Sequence, residues 1–274
     1  MFGRKSASYP YLVFMTIFIV VPLAVVAYFA FTDGAGNFTI DNVSKAADYS
    51  SIIIRSLLLA FIATVLCLLL GYPFAYIMSK KTSNARRTMQ MLIMLPMWMS
   101  FLLRTYAWMT ILENNGLINK FLGLFGISPL QMINTQGAVV LGMVYDYLPF
   151  MILPLYSVLM KIDPSIIQAA QDLGGHPLQV FSKVILPLSV PGILSGITMV
   201  FVPAVSTFII SRMLGGGSSM LIGDLIELQF LGNAYNPNLG AALSFVLMVI
   251  ILFCMSIMNQ FDTDSDGEKG ELWV

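Results

Sequence analysis

The sequence predicts an all-α membrane protein of six transmembrane helices with both termini in the cytoplasm, and three observations predict it. Hydrophobic residues fill 58% of the 274 positions and charged residues only 10%, whereas about a quarter of the residues of a soluble domain are charged. The apolar residues come in blocks of about 20, the length at which a helix crosses about 30 Å of hydrocarbon. Lysine and arginine concentrate in alternate connections between those blocks, the asymmetry that orients membrane helices. One membrane domain, residues 1–258, is therefore expected, followed by an acidic tail, residues 259–274.

The first block, Tyr11 to Phe31, follows Arg4 and Lys5. It exceeds the apolar core of a signal peptide and no small-residue cleavage site follows, so it reads as a span. The remaining spans are expected near Ser56 to Met78, Met91 to Leu112, Ala138 to Met160, Val190 to Ile210, and Ala241 to Met258. Lys80, Lys81, Arg86 and Arg87 separate spans two and three, and Lys161 and Lys183 separate four and five. These connections belong in the cytoplasm; the opposite ones carry Lys45, Lys120 and Arg212, sparser for their greater total length. The tail, with Asp262, Asp264, Asp266, Glu268 and Glu271, falls on the cytoplasmic side because acidic residues orient spans weakly.

Two outer segments are apolar at helical spacing yet too short to cross: Leu117 to Ile127, after Asn114-Asn115-Gly116, and Leu221 to Phe230, after Gly215-Gly216-Gly217-Ser218-Ser219. The first is expected at the outer interface. The glycine run lacks a following Gly-Lys-Ser/Thr and is not a phosphate loop.

Composition excludes several classes. Fourteen basic and fourteen acidic residues give no net charge, so there is no basic footprint for nucleic acid. A single histidine, His176, does not build a metal site and suits a capping or surface role. Cys67 and Cys254 lie in apolar blocks and read as small buried hydrophobes. The 19 methionines are scattered, as gap fillers between helices would be.

The most informative segment connects spans four and five. Asp163 suits a helix N-cap, Pro164 the first helical position, and Gly174 the left-handed residue past the C-terminus. These bound a helix about 15 Å long. A second helix is expected from Pro177, broken by Pro187 and Pro191. On the first helix Ile166, Ala169, Ala170 and Leu173 share one face. Periodicity leaves open whether this face folds back on its own bundle or docks on a partner.

Gln168-Ala169-Ala170, then Gly174, then Val184-Ile185-Leu186-Pro187 resembles the signature of ABC importer permeases: Glu-Ala-Ala, three residues, Gly, nine residues, Ile, any residue, Leu, Pro. The spacing fits throughout; Gln168 stands where Glu is usual and Val184 where Ile is usual. The resemblance implies that this is the coupling helix, which docks into a groove on a cytoplasmic ATPase through Asp163, Pro164, Gln168, Ala169, Ala170, Gly174, Leu186 and Pro187. The missing Glu removes any ion pair at that position but not the helix or its apolar face. Arg104-Thr105-Tyr106-Ala107-Trp108, Asn115-Gly116-Leu117-Ile118-Asn119, Leu148-Pro149-Phe150-Met151, Pro154-Leu155-Tyr156 and Leu214-Gly215-Gly216 are similar to spermidine/putrescine permeases of the PotB and PotH type. That likeness runs from about Ser56 to Ala242. It implies a bacterial inner-membrane permease whose partners are two ATPase copies carrying ATP and magnesium, a second permease of the same fold, and an extracytoplasmic polyamine-binding protein. No cofactor is expected in this chain.

Arg104 and Asp146 lie deep in spans three and four, where ionisable residues are costly and mark function by default. Counting inward from the outer ends places both roughly 12 Å deep, so they can pair. Two readings stand: a structural ion pair, or a carboxylate offered to a cationic solute. Tyr106, Trp108, Tyr145 and Tyr147 lie nearby in sequence and suit either interfacial anchors or cation–π contacts. Asp224 and Glu227, three apart on the second outer segment, suit a solvated face or a site that attracts cations. Two other classes explain less. A self-contained secondary transporter predicts inverted repeats and leaves the capped loop helix without a role. A membrane enzyme predicts a catalytic constellation that one histidine and scattered carboxylates do not form.

Overall fold

The computed structural model describes residues 9–217, 219–232 and 235–270, the last helix by its backbone beyond Met258. Arg4, Lys5, Ser218 and Glu271 lie outside the described residues. The described residues are mostly helical, with an isolated bridge between Thr32 and Phe38.

Among the described residues four helices are long and apolar enough to cross a membrane: α1 (Pro10–Ala30), α2 (Asp41–Ser79), α6 (Gln136–Leu159), and the first part of α12 (Pro237–Gly270), over Pro237–Met258. A fifth crossing is made if α8 (Pro177–Leu188) and α9 (Val190–Val205), bent by 63° at Ser189, count as one. The remaining helices are α3 (Ser83–Met94), α4 (Phe101–Leu112), α5 (Leu117–Gly123), α7 (Pro164–Asp172), α10 (Ile209–Gly215) and α11 (Ile222–Leu231).

The third expected span is therefore not one helix. After α3 the chain tightens into a 3-10 turn at Leu95–Trp98 and leaves helical geometry at Met99 and Ser100. Pro96 explains the interruption, because it has no N–H to give to the preceding turn. The fifth span likewise ends at Val205 rather than Ile210, beyond Pro203, and re-forms as α10. Helix α12 continues past Met258 to Gly270, into the first part of the expected tail.

The core forms where α2 packs along α6 and α6 along α9. Hydrocarbon competes with side chains for apolar contact, so membrane helices associate where small residues let backbones approach. A β-carbon at Gly196 of α9 would stand 2.6 Å from Met151 Sδ of α6, and one at Gly142 would stand 2.6 Å from Leu214 Cδ1 of α10. Around these contacts Met143, Met151, Leu155, Val200 and Val205 are fully or nearly fully buried. Helix α1 is peripheral: its apolar side chains are exposed over most of its length, and it meets α12 through Val26, Ala30 and Phe31 against Ala241, Ala242 and Phe245. Such an exposed apolar surface suits lipid, not water.

Candidate functional site

Three groups of sequence-marked residues are placed by this fold. The first is the segment between α6 and α9. Asp163 Oδ1 accepts the backbone N–H of Ser165 at 2.9 Å, capping α7, and that bond holds the Asp163 carboxyl below the usual carboxylate range. Pro164 begins α7 and Gly174 ends it at φ +82°. Gly175 N–H then donates to Ala170 C=O at 3.0 Å, closing the turn. His176 caps α8: its Nδ1 accepts Leu178 N–H at 3.4 Å while its own N–H donates to Gln179 Oε1 at 3.1 Å.

Helix α7 divides its surface differently from the expectation. Ala170 joins Ile167 in packing against the core, while Ile166, Gln168, Ala169 and Leu173 are exposed, Leu173 to 90%. The row that touches the bundle is Ile167 with Ala170, three apart, and the row beside it is left uncovered. Nor does Pro187 break α8. A widened π turn at Phe181–Ile185 precedes it and takes up a residue that cannot donate to the helix ladder. The change of direction comes at Ser189. Leu186 and Pro187 lie exposed on the last turn before it.

The second group lies between α4 and α6. Arg104 Nη1 stands 2.9 Å from Asp146 Oδ1, with side chains 9% and 3% exposed. The two residues thus pair, as the sequence allowed. The guanidinium carbon also lies 5.7 Å from the Phe101 ring centre. The aromatic residues do not converge here. Trp108 and Tyr145 meet edge to face at 5.4 Å. Tyr147 turns to α9, its hydroxyl donating to Pro203 C=O at 3.3 Å, and Tyr106 is 53% exposed. Consecutive helical residues point about 100° apart, so Tyr145, Asp146 and Tyr147 cannot share one face.

The third group is α11, which is not a solvated amphipathic stretch. Ile222 N–H donates to Ser56 Oγ at 2.8 Å, tying α11 to α2, and Asp224 is buried with Oδ2 accepting Leu221 N–H at 2.9 Å. Glu227 pairs with Arg212 of α10, whose Nη1 donates to Oε1 at 3.0 Å. Ser211, Arg212, Asp224 and Glu227 line a cavity of about 190 Å³. The other outer segment forms only the short α5, and its Asn119 is buried, holding Leu130 through both its N–H and C=O.

Sequence reasoning missed Ser56, Tyr72 and Ser189. Tyr72 Oη lies 2.8 Å from Ser189 Oγ, both buried. The sole local hint was a serine set between Pro187 and Pro191 at the end of a helix.

Comparison with known proteins bears on what this arrangement serves. The family model described as binding-protein-dependent transport system inner membrane component matches residues 69–264. The spermidine/putrescine transport system permease protein PotB of Escherichia coli (strain K12) is 39% identical over 218 residues, covering 78% of this chain and 79% of that protein. The protein of the same name from Haemophilus influenzae is 39% identical over 252 residues, covering 87% and 88%. A chain in the crystal structure of a bacterial alginate ABC transporter, in complex with an alginate pentasaccharide-bound periplasmic protein, superposes with a TM-score of 0.75 at 18% identity, over 93% of this chain and 92% of that one. At that identity the superposition speaks to the fold.

Proposed function

The chain belongs to the family of binding-protein-dependent transport system inner membrane components, and on that premise we propose that it forms half of the translocation pathway of an ATP-driven importer of polyamines. The observation that carries the solute class is the 39% identity to polyamine permeases across nearly four fifths of both chains. The partners are two copies of an ATPase that binds ATP and magnesium, a second permease of the same fold, and a periplasmic polyamine-binding protein. This chain supplies no catalytic group.

The coupling surface is the exposed row of α7. A rigid helix capped at both ends and carrying Ile166, Ala169 and Leu173 uncovered fits the groove of an ATPase, with Gln168 beside it and Asp163, Pro164 and Gly174 fixing its ends. Leu186 and Pro187 join the docked helix to the membrane. Six crossings follow if α3, the 3-10 turn and α4 cross as one interrupted span, which puts α7 and both termini in the cytoplasm. Single cysteines at Ser83 and at His176, both exposed, in a background without Cys67 and Cys254, should then react only with reagents that reach the cytoplasm. Labelling of intact cells by an impermeant maleimide at either position overturns the orientation.

Within the bundle, Arg104–Asp146 ties α4 to α6, and the cavity lined by Asp224 and Glu227 offers carboxylates to an entering cation. Coexpression with the partner ATPase, second permease and binding protein, followed by uptake of labelled spermidine and putrescine into proteoliposomes, tests the function. ATP-dependent uptake of either is expected. Uptake of a different solute, such as an anion, a metal complex or an amino acid, with no polyamine uptake, refutes the solute class and keeps the transport class.

A further inference from the structure

We propose that the hydroxyl pair Tyr72–Ser189 is the strut that carries movement of the docked helix into α2, so that Tyr72 is a positioning residue for the transport cycle; this rests on the proposed role of α7. Four observations converge on it. First, Ser189 occupies the 63° bend between α8 and α9 and is fully buried. A bend with no side chain to hold it has a soft angle. Second, both hydroxyls are used. Tyr72 Oη and Ser189 Oγ lie 2.8 Å apart, with either able to donate, and with the tyrosine as donor the serine proton is left for Leu186 C=O, also at 2.8 Å. Tyr72 thus ties α2 to the bend, 117 residues away in sequence.

Third, the same tyrosine grips the other part of α8. Its ring meets Phe181 edge to face at 5.6 Å, and Tyr76, one turn along α2, meets Phe181 at 5.7 Å. Phe181 opens the π turn, and Ser189 follows the end of α8. One side chain of α2 therefore holds α8 near its middle and at its end. Fourth, α7 is joined to α8 by the closed Gly174–Gly175 turn and the His176 cap, so the segment from Pro164 to Leu188 has few internal joints. A push on α7 reaches α9 along the chain through Ser189, and reaches α2 from α8 across space, through Tyr72, Tyr76 and Phe181. Helices α2 and α9 also pack on each other and on α6, but those apolar surfaces can slide, so the tyrosine hydrogen bond is what fixes the register of the bend against α2.

The test uses the complete transporter, with both permeases, ATPase and binding protein, in proteoliposomes. Tyr72→Phe removes one hydroxyl and keeps the ring on Phe181; Ser189→Ala removes the other. Each is expected to lower the ratio of solute imported to ATP hydrolysed roughly five-fold, the worth of one hydrogen bond of about 1 kcal/mol, with ATP hydrolysis still stimulated by the loaded binding protein. The double variant should be no worse than either single one, because one bond is removed in all three. A merely structural bond lowers yield and leaves that ratio unchanged. An unchanged ratio in both single variants, additive losses in the double variant, or failure of both single variants to assemble overturns the strut. Absence of binding-protein-stimulated import in the unmodified transporter would instead count against the proposed function.

Discussion

Ala169→Glu and Gly174→Leu are each expected to reduce solute uptake at least ten-fold while leaving the chain in the membrane at normal abundance. The two act through different physics. Ala169 is exposed on the uncovered row of α7, so a carboxylate there costs α7 nothing until it docks, when it must leave water without a partner. The loss should appear as failure of the ATPase to co-purify. Gly174 sits at φ +82° with nothing within 4 Å of a would-be β-carbon, so leucine meets no obstacle and the penalty is confined to the backbone. A residue with a β-carbon in that region costs about 1–2 kcal/mol, enough to unwind the Ala170–Gly175 turn and misdirect α7. Gly126, at φ +73° and equally open, supplies the control. It lies just beyond α5, so Gly126→Leu carries the same backbone strain and should leave uptake and ATPase association unchanged. Equal losses at Gly174 and Gly126 would mean that general instability, not the geometry of α7, blocks transport. Normal uptake in both Ala169→Glu and Gly174→Leu would remove α7 from the mechanism.

The ends of α7 were legible in the sequence because capping is local: Asp163, Pro164 and Gly174 each act within a few residues. The Arg104–Asp146 pair was legible for another reason, since in a membrane the cost of an unpaired charge leaves few partners at a given depth. What stayed hidden depends on contacts that no local rule reports. Ile222 N–H meets Ser56 Oγ across 166 residues, and nothing near Asp224 says that α11 folds back into the bundle. The bilateral surface of α7 was blurred because Ile167 and Ala170, which touch the bundle, are as apolar as Ile166 and Ala169, which do not. The interruption at Leu95–Ser100 was hidden by composition: an apolar run reads as one span even where Pro96 divides it.

The paired charge allows the sharpest separation between scaffold and pathway. Asp146→Asn leaves Arg104, 9% exposed and otherwise resting on the Phe101 ring, as an uncompensated charge. Breaking a buried pair from one side costs about 3–5 kcal/mol, so the abundance of the single variant in the membrane should fall steeply. Arg104→Gln strands the carboxylate in the same way and should behave alike. The double variant, Asp146→Asn with Arg104→Gln, places two neutral amides where the ions were, and these can hydrogen-bond each other. Replacing both members of a buried pair is often nearly neutral. Abundance is therefore expected to recover, and spermidine uptake per molecule of transporter to recover with it, because Asp146 is 3% exposed and turned to Arg104. Four quantities decide the matter: abundance and uptake in each single variant, and both in the double. Recovery of abundance without uptake would show that the carboxylate faces the polycation during transport, replacing the water its amines give up. The Arg104 side chain would then be the counter-ion that keeps the carboxylate occupied between solutes, and the tie between α4 and α6 would break and re-form once in every cycle.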